Sequence, residues 1–118
     1  MTVSVNIHEA KTHLSRLLEQ VAAVHVSAAT VWELTIKTML GKLTVPADLS
    51  KRLPEQGLEL LSVTAEHAEA IRDFPELTRH DPFDRLIVAQ ASRAGLRLLT
   101  ADHVLLDLHR DFILDASR

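Results

Sequence analysis

Acidic and amide side chains recur at points where predicted strands give way to predicted helices. Asn6 lies at the end of the first predicted strand, and Glu33 lies in the second turn of the helix after the second strand. Asp84 lies in the first turn of a later helix, and Asp102 follows another strand. In open parallel sheets, ligands bind beyond the carboxyl ends of the strands. Carboxylates meeting there would repel one another unless a hard cation neutralised them, so the pattern predicts a Mg²⁺ or Mn²⁺ site that holds a phosphodiester and activates water.

The acidic side chains at these positions also have structural interpretations. Asp81 is expected to be only an N-cap, and Asp84, three residues later, could complete a capping box or stabilise the helix dipole. Glu33 precedes Lys37 by four residues, which is the spacing of a helical ion pair. Asp102 could cap the turn that follows it. Spacing alone therefore leaves both the acidic site and these structural roles open.

The histidines and the single tryptophan give no separate metal-binding signal. His8 and His13 lie five positions apart, about 140° around a helix, so they cannot form the two-histidine face of a zinc protease. Trp32 lies on the apolar side of its predicted helix and is expected in the core. The other histidines are expected at the surface or in loops: His25, His67, His80, His103 and His109.

Composition restricts the classes of function that the chain can have. A net charge of −3 argues against binding nucleic acid through a broad basic surface, although a metal in an acidic site would attract phosphate by itself. One Trp, three Phe and no Tyr argue against an extended base-stacking platform. The absence of cysteine excludes disulfides and thiolate metal sites. No segment resembles a signal peptide or a membrane span, so we expect a cytoplasmic protein.

Alternating strands and helices must position the polar residues. The predicted strands are short and apolar and cover residues 3–7, 24–26, 58–63, 96–100 and 112–114. The predicted helices cover residues 8–21, 28–39, 46–56, 65–74, 82–94 and 104–108. Ser27 and Asp81 are expected N-caps, and Gly41 and Gly95 are expected helix ends. The alternation predicts one α/β domain with a mainly parallel central sheet and helices on both faces.

Three ordered motifs resemble the PIN-domain toxins of the VapC type. They read VSAATVWELTIK at 26–37, HDPFDRLIVAQA at 80–91 and LLTAD at 98–102. The resemblance covers residues 24–114 and implies a PIN-like three-layer αβα sandwich. It also implies a Mg²⁺-dependent endoribonuclease that is usually dimeric and is paired with an antitoxin. Glu33, Asp84 and Asp102 would then be the catalytic, metal-binding acids.

The first segment departs from that family pattern. Residues 1–22 resemble the start of Phd/YefM-type antitoxins and would replace the usual first strand and helices, whereas 23–118 form the toxin-like remainder of a single domain. In this register Asn6 stands where the family has its first catalytic aspartate. An amide oxygen can ligate a cation but brings no negative charge. The resemblance therefore implies weak metal binding through Asn6 and a reduced or absent nuclease activity.

Three functions remain open from the sequence. The first is an impaired, metal-dependent endoribonuclease toxin of a type II toxin–antitoxin system, with RNA as substrate. The second is an inactive toxin-like module that dimerises or pairs with an antitoxin. The third is an antitoxin-like regulator, which the short segment and the negative charge disfavour. A homodimer is expected through helices 28–39 and 46–56, and exchange of the first strand between the two chains is one way to form it.

Overall fold

The computed structural model describes the backbone of residues 2–5 and all of residues 23–116. In these residues, five strands form one sheet: β1 (Thr2–Val5), β2 (Ala23–Ser27), β3 (Glu59–Leu61), β4 (Arg97–Thr100) and β5 (Ile113–Asp115). The described α-helices are α1 (Ala28–Met39), α2 (Leu49–Glu55), α3 (Ala65–Glu69), α4 (Pro82–Ala94) and α5 (His103–Leu106). Two 3₁₀ turns cover Ala70–Asp73 and Pro75–Leu77. None of the described helices is long and apolar enough to cross a bilayer.

The sheet is parallel throughout its described pairs and has the strand order β3-β2-β1-β4-β5. The central strand β1 pairs with β2 on one side and with β4 on the other. The chain therefore builds the sheet outward to β3 and then returns to the opposite side of β1. Ligands of open α/β sheets bind at such a reversal, beyond the carboxyl ends of the strands. The residues that follow β4 are thus at the expected place for a site.

Local capping signals fix the two long helices. The Ser27 hydroxyl accepts a hydrogen bond from the Ala29 N–H at 3.0 Å and begins α1. Asp81 begins α4 in the same way, with Pro82 in the first helical position. Gly95 ends α4 in the left-handed conformation, at a φ of 69°, which a side chain would disfavour. These boundaries confirm the predictions from the sequence.

The core lies on both sides of the sheet. Leu98 and Leu99 are neighbours in β4 and point to opposite faces, as successive strand residues must. Leu98 joins a cluster with Leu77 and Val88, whereas Leu99 joins a second cluster that includes Leu53 of α2. A strand that is buried on both faces needs layers of helix above and below it. The predicted α/β layering is therefore confirmed in the described residues.

Some predicted elements are shorter in the structure. The single helix predicted over 65–74 is divided into α3 and a 3₁₀ turn, and Phe74 has an extended φ of −126° because a residue before proline avoids the helical region. The helix predicted over 46–56 begins only at Leu49, and the strand predicted over 58–63 covers Glu59–Leu61. The helix predicted over 8–21 lies outside the described residues.

The prediction that Trp32 packs in the core is wrong. Its side chain is 58% exposed. The buried residues of α1 are Ala29, Thr30, Glu33 and Leu34, and Trp32 is not among them. Apolar residues occur on both sides of α1, so helical periodicity could not decide which side faces the core.

Candidate metal centre

Three side chains direct possible metal ligands toward one another at the carboxyl edge of the sheet. Nε2 of His80 lies 3.3 Å from Oδ2 of Asp84 and 3.5 Å from Oδ2 of Asp102. One ligand atom from each of the three side chains lies within 4.8 Å of those of the other two. The side chains are 24%, 15% and 20% exposed, so the cluster is only partly open to solvent. We refer to these three residues as the His-Asp-Asp cluster.

The N-terminus of α4 positions two members of the cluster. One carboxylate oxygen of Asp81 accepts hydrogen bonds from the backbone N–H groups of Phe83 at 2.8 Å and Asp84 at 3.3 Å. This cap fixes the first turn of α4, which carries Asp84, and the turn before it, which carries His80. The expectation that Asp81 is an N-cap is confirmed. Its neighbours, not Asp81 itself, belong to the cluster.

Asp102 enters the cluster from a different segment. It is the N-cap of α5, and its Oδ1 accepts a hydrogen bond from the Val104 N–H at 2.8 Å. Its own N–H donates to Oγ1 of Thr100, a buried residue at the end of β4, at 3.1 Å. One oxygen of the Asp102 carboxylate is therefore used in capping, and the other faces His80. The structural and the metal-binding interpretations of this residue are compatible.

The donor set fits a divalent cation. Nε2 of His80 is buried and makes no hydrogen bond in the described structure, although both carboxylates lie at ion-pair distance. Well-aligned charge-assisted hydrogen bonds are usually shorter, at about 2.7–2.9 Å. An imidazole nitrogen and two carboxylate oxygens that face a common point are ligands that Mn²⁺ and Zn²⁺ accept, and the carboxylates also suit Mg²⁺. The geometry is consistent with a cation site.

Glu33 is not among the three clustered residues. It lies on the buried side of α1, with Oε2 at 3.7 Å from Nζ of Lys37, four residues later. This is the helical ion pair that its spacing allowed. Burial of a carboxylate is costly when its pairing is this loose, so the ion pair alone explains its position poorly. A metal-binding role for Glu33 stays a prediction, as does the role of Asn6, which lies outside the described residues.

A comparison with protein-family models decides the family. The model described as the PIN domain matches residues 4–110. The chain belongs to the PIN domain family. The match begins within residues 1–22, the segment that resembles antitoxins in sequence. The PIN pattern therefore extends over most of that segment as well.

Several solved structures have a fold similar to that of this chain. The chain is 20% identical to a chain of FitAcB from Neisseria gonorrhoeae, with a TM-score of 0.67 and coverage of 100% of this chain and 99% of that one. For DNA-bound VapBC from Salmonella typhimurium the identity is 19% and the TM-score 0.69, with 98% of each chain covered. For a toxin–antitoxin complex from Klebsiella pneumoniae the identity is 13% and the TM-score 0.68, and 98% of each chain is covered. No curated protein sequence matches the chain.

His80 is the residue of this PIN domain that sequence reasoning missed. It lies in a loop, as expected, but its position beside two carboxylates was not foreseen. The one sequence feature that could have indicated its role is the spacing of four residues between His80 and Asp84. Two other histidine predictions are wrong: His67 is buried in α3, where it closes a capping box with Thr64, and His25 lies within β2. Nδ1 of His67 accepts a hydrogen bond from the Thr64 N–H at 3.1 Å, and Nε2 of His25 lies 2.9 Å from Oε2 of Glu59 on the neighbouring strand, so a search for ligand spacing does not detect either contact.

Proposed function

We propose that this PIN domain is a metal-dependent endoribonuclease and the toxin component of a type II toxin–antitoxin pair. The observation that carries the proposal is the convergence of His80, Asp84 and Asp102 at the carboxyl edge of a parallel sheet. A cation of the Mg²⁺ or Mn²⁺ type, when bound there, would polarise a phosphodiester and supply an activated water. Two carboxylates and one imidazole of this chain would hold it.

The protein groups have distinct parts in this proposal. Asp84 and Asp102 contribute the negative charge, and the cap of α5 fixes the direction of the Asp102 oxygen that faces the cluster. His80 contributes a neutral nitrogen ligand when it is unprotonated. Glu33 is proposed as a further acid, since α1, which carries it, packs against α4. Asn6 is proposed to occupy the position of the missing aspartate, which leaves the site with one negative charge fewer and a low activity.

An antitoxin partner is proposed from the relatives. The solved structures that share this fold over almost the whole chain include a toxin–antitoxin complex, DNA-bound VapBC and FitAcB. We also propose a homodimer, with exchange of the first strand as one form, and an antitoxin-like origin for residues 1–22. The central place of β1 in the sheet supports the idea that this segment takes the position of the family's first strand. A monomeric mass at micromolar concentration in light scattering would contradict the dimer.

The decisive experiment measures metal binding and RNA cleavage in the same variants. Asp84→Asn should lower Mn²⁺ affinity in calorimetry and abolish EDTA-sensitive cleavage, because a ligand charge is removed while shape is retained. Asp107→Asn is the matched control, since Asp107 is exposed at the other end of α5 from Asp102. Asn6→Asp should raise both affinity and cleavage. Equal Mn²⁺ affinity in the native chain and Asp84→Asn would contradict the assigned site.

A catalytically inactive binding module is the second candidate. The observation in its favour is that a protonated His80 could offset one of the two aspartate charges without a metal, because its Nε2 lies within 3.5 Å of both carboxylates. A folded chain that gains no thermal stability from Mn²⁺ and cuts no RNA, but still binds an antitoxin, would support this alternative.

A further inference from the structure

Two aromatic residues that come directly before proposed metal ligands in the sequence form an exposed pair. The ring of Trp32, which is 58% exposed, meets the half-buried ring of Phe83 edge to face, with centroids 5.0 Å apart and planes at 73°. Together they border an apolar cavity of about 220 Å³, whose other walls include Ala68, Ile71, Arg85 and Leu86. The scarcity of aromatic residues argued against an extended stacking platform. The structure nevertheless brings two of the four aromatic side chains of the chain together on one surface.

A guanidinium group borders the same cavity. Nη1 of Arg85 donates a hydrogen bond to the backbone carbonyl of Thr78 at 3.1 Å, which holds the side chain in place. No carboxylate among the described residues forms an ion pair with Arg85, and its Nε makes no hydrogen bond there. A positive charge therefore remains available beside two aromatic rings. Aromatic surface together with an uncompensated cation favours a ligand that has both a planar ring and a negative charge.

The aromatic pair is adjacent to the proposed metal ligands along the chain. Trp32 precedes Glu33 and Phe83 precedes Asp84, so each aromatic Cα is about 3.8 Å from that of an acid. We propose that a nucleobase of single-stranded RNA stacks on Trp32, supported from the side by Phe83, while Arg85 attracts a neighbouring phosphate. The inference deepens the proposed ribonuclease function and rests on it. It makes Trp32 the residue that positions a nucleotide next to the bond to be cut.

Trp32 itself provides the readout, since it is the only tryptophan of the chain. Intrinsic fluorescence of the full chain is titrated with a five-nucleotide oligoribonucleotide in EDTA and at low salt, so that no metal and no cleavage are involved. A stacked base should quench the emission. An abasic oligomer of the same length and charge should not, because it retains the phosphates and lacks the rings. Equal quenching by both oligomers, or by neither, would overturn the inference.

Variants test the contribution of the ring to affinity, measured by anisotropy of a labelled oligoribonucleotide. Trp32→Leu should weaken binding by roughly 5- to 150-fold, the range expected for loss of one base–aromatic stack, whereas Trp32→Phe should retain most of it. Met39→Ala is the matched control, because Met39 is 81% exposed on the same helix. Unchanged RNA affinity in Trp32→Leu, with a thermal unfolding midpoint equal to that of the control, would refute the stacking role.

The outcome can be separated from that of the proposed function. Metal-dependent RNA cleavage by a chain whose Trp32 emission does not respond to RNA would retain the nuclease and refute the stacking. Base-dependent quenching without any metal binding would retain the stacking and refute the nuclease. If Trp32 emission instead shifts to the blue with increasing protein concentration, and RNA does not reverse the shift, the aromatic surface is a contact between copies of the chain and the inference is wrong.

Discussion

Asp102 caps a helix and is also a proposed metal ligand, and its substitution by alanine and by asparagine should separate the two roles. Oδ1 caps α5 through the Val104 N–H at 2.8 Å, and Oδ2 faces His80 at 3.5 Å. Alanine removes both oxygens. Asparagine is about as good an N-cap as aspartate, so it keeps the capping oxygen and removes the negative charge.

The size of each effect follows from the two contacts. Without metal, Asp102→Ala should lose about 1 kcal/mol of folding free energy, the usual cost of an N-cap, and should unfold about 3–5 °C lower for a chain of this length. Asp102→Asn should stay within about 0.5 kcal/mol of the native chain. At a Mn²⁺ concentration 100 times the dissociation constant, the native chain should gain about 2.7 kcal/mol, whereas both variants should gain much less.

Thermal unfolding followed by circular dichroism, with EDTA or with Mn²⁺, measures the stability of the native chain and of both variants in each buffer. Asp102→Ala should be destabilised in both buffers, whereas Asp102→Asn should differ from the native chain only when metal is present. If Asp102→Asn gains as much stability from Mn²⁺ as the native chain does, Asp102 is only a helix cap. If Asp102→Ala unfolds at the native temperature in EDTA, the capping contact contributes nothing measurable.

Three further substitutions test the site and its support. His80→Asn should reduce the preference for Mn²⁺ over Mg²⁺ in calorimetric titrations, because the imidazole nitrogen suits Mn²⁺ better; an unchanged preference would exclude His80 as a ligand. Gln90→Ala should lower the free energy of unfolding in urea by about 2–4 kcal/mol. Gln90 is fully buried and donates a hydrogen bond to the Ser62 carbonyl at 3.1 Å, and the smaller alanine would leave a cavity. A loss below about 0.5 kcal/mol would contradict this packing. Gly95→Ala should lower the free energy of unfolding by about 1 kcal/mol, because Gly95 has a φ of 69°. Gly95→Asn should lower it less, since asparagine tolerates the left-handed conformation better. Equal losses in the two variants would exclude the backbone explanation.

The sequence predicted those parts of the fold that local chemistry determines. Ser27, Asp81 and Gly95 act on the backbone within a few residues of themselves, so their types and positions are sufficient to place the ends of α1 and α4. The parallel sheet follows from the order of the elements, since each strand is separated from the next by enough chain for a crossover.

The position of Trp32 could not be predicted because it depends on a choice between two surfaces. α1 carries apolar residues on both sides, and only packing against the rest of the chain selects the side with Ala29 and Leu34 for burial. The same limit applies to His80. Its neighbour Asp84 is near in sequence, but Asp102 comes from a segment beyond β4, and their approach depends on the arrangement of the sheet.

Helix capping and the proposed metal site are linked in this domain by the way helices begin at the edge of a parallel sheet. A helix N-terminus leaves backbone N–H groups without partners, and aspartate is among the residues that satisfy them best. The same edge is where ligands bind, so carboxylates that cap helices are already close to the site. Asp81 caps α4 with its carboxylate and thereby positions Asp84 and His80, whereas Asp102 caps α5 with one oxygen and directs the other toward the cluster. A structural explanation of an aspartate at this edge therefore does not count against a metal-binding one, and only a substitution that keeps the cap while removing the charge can separate them.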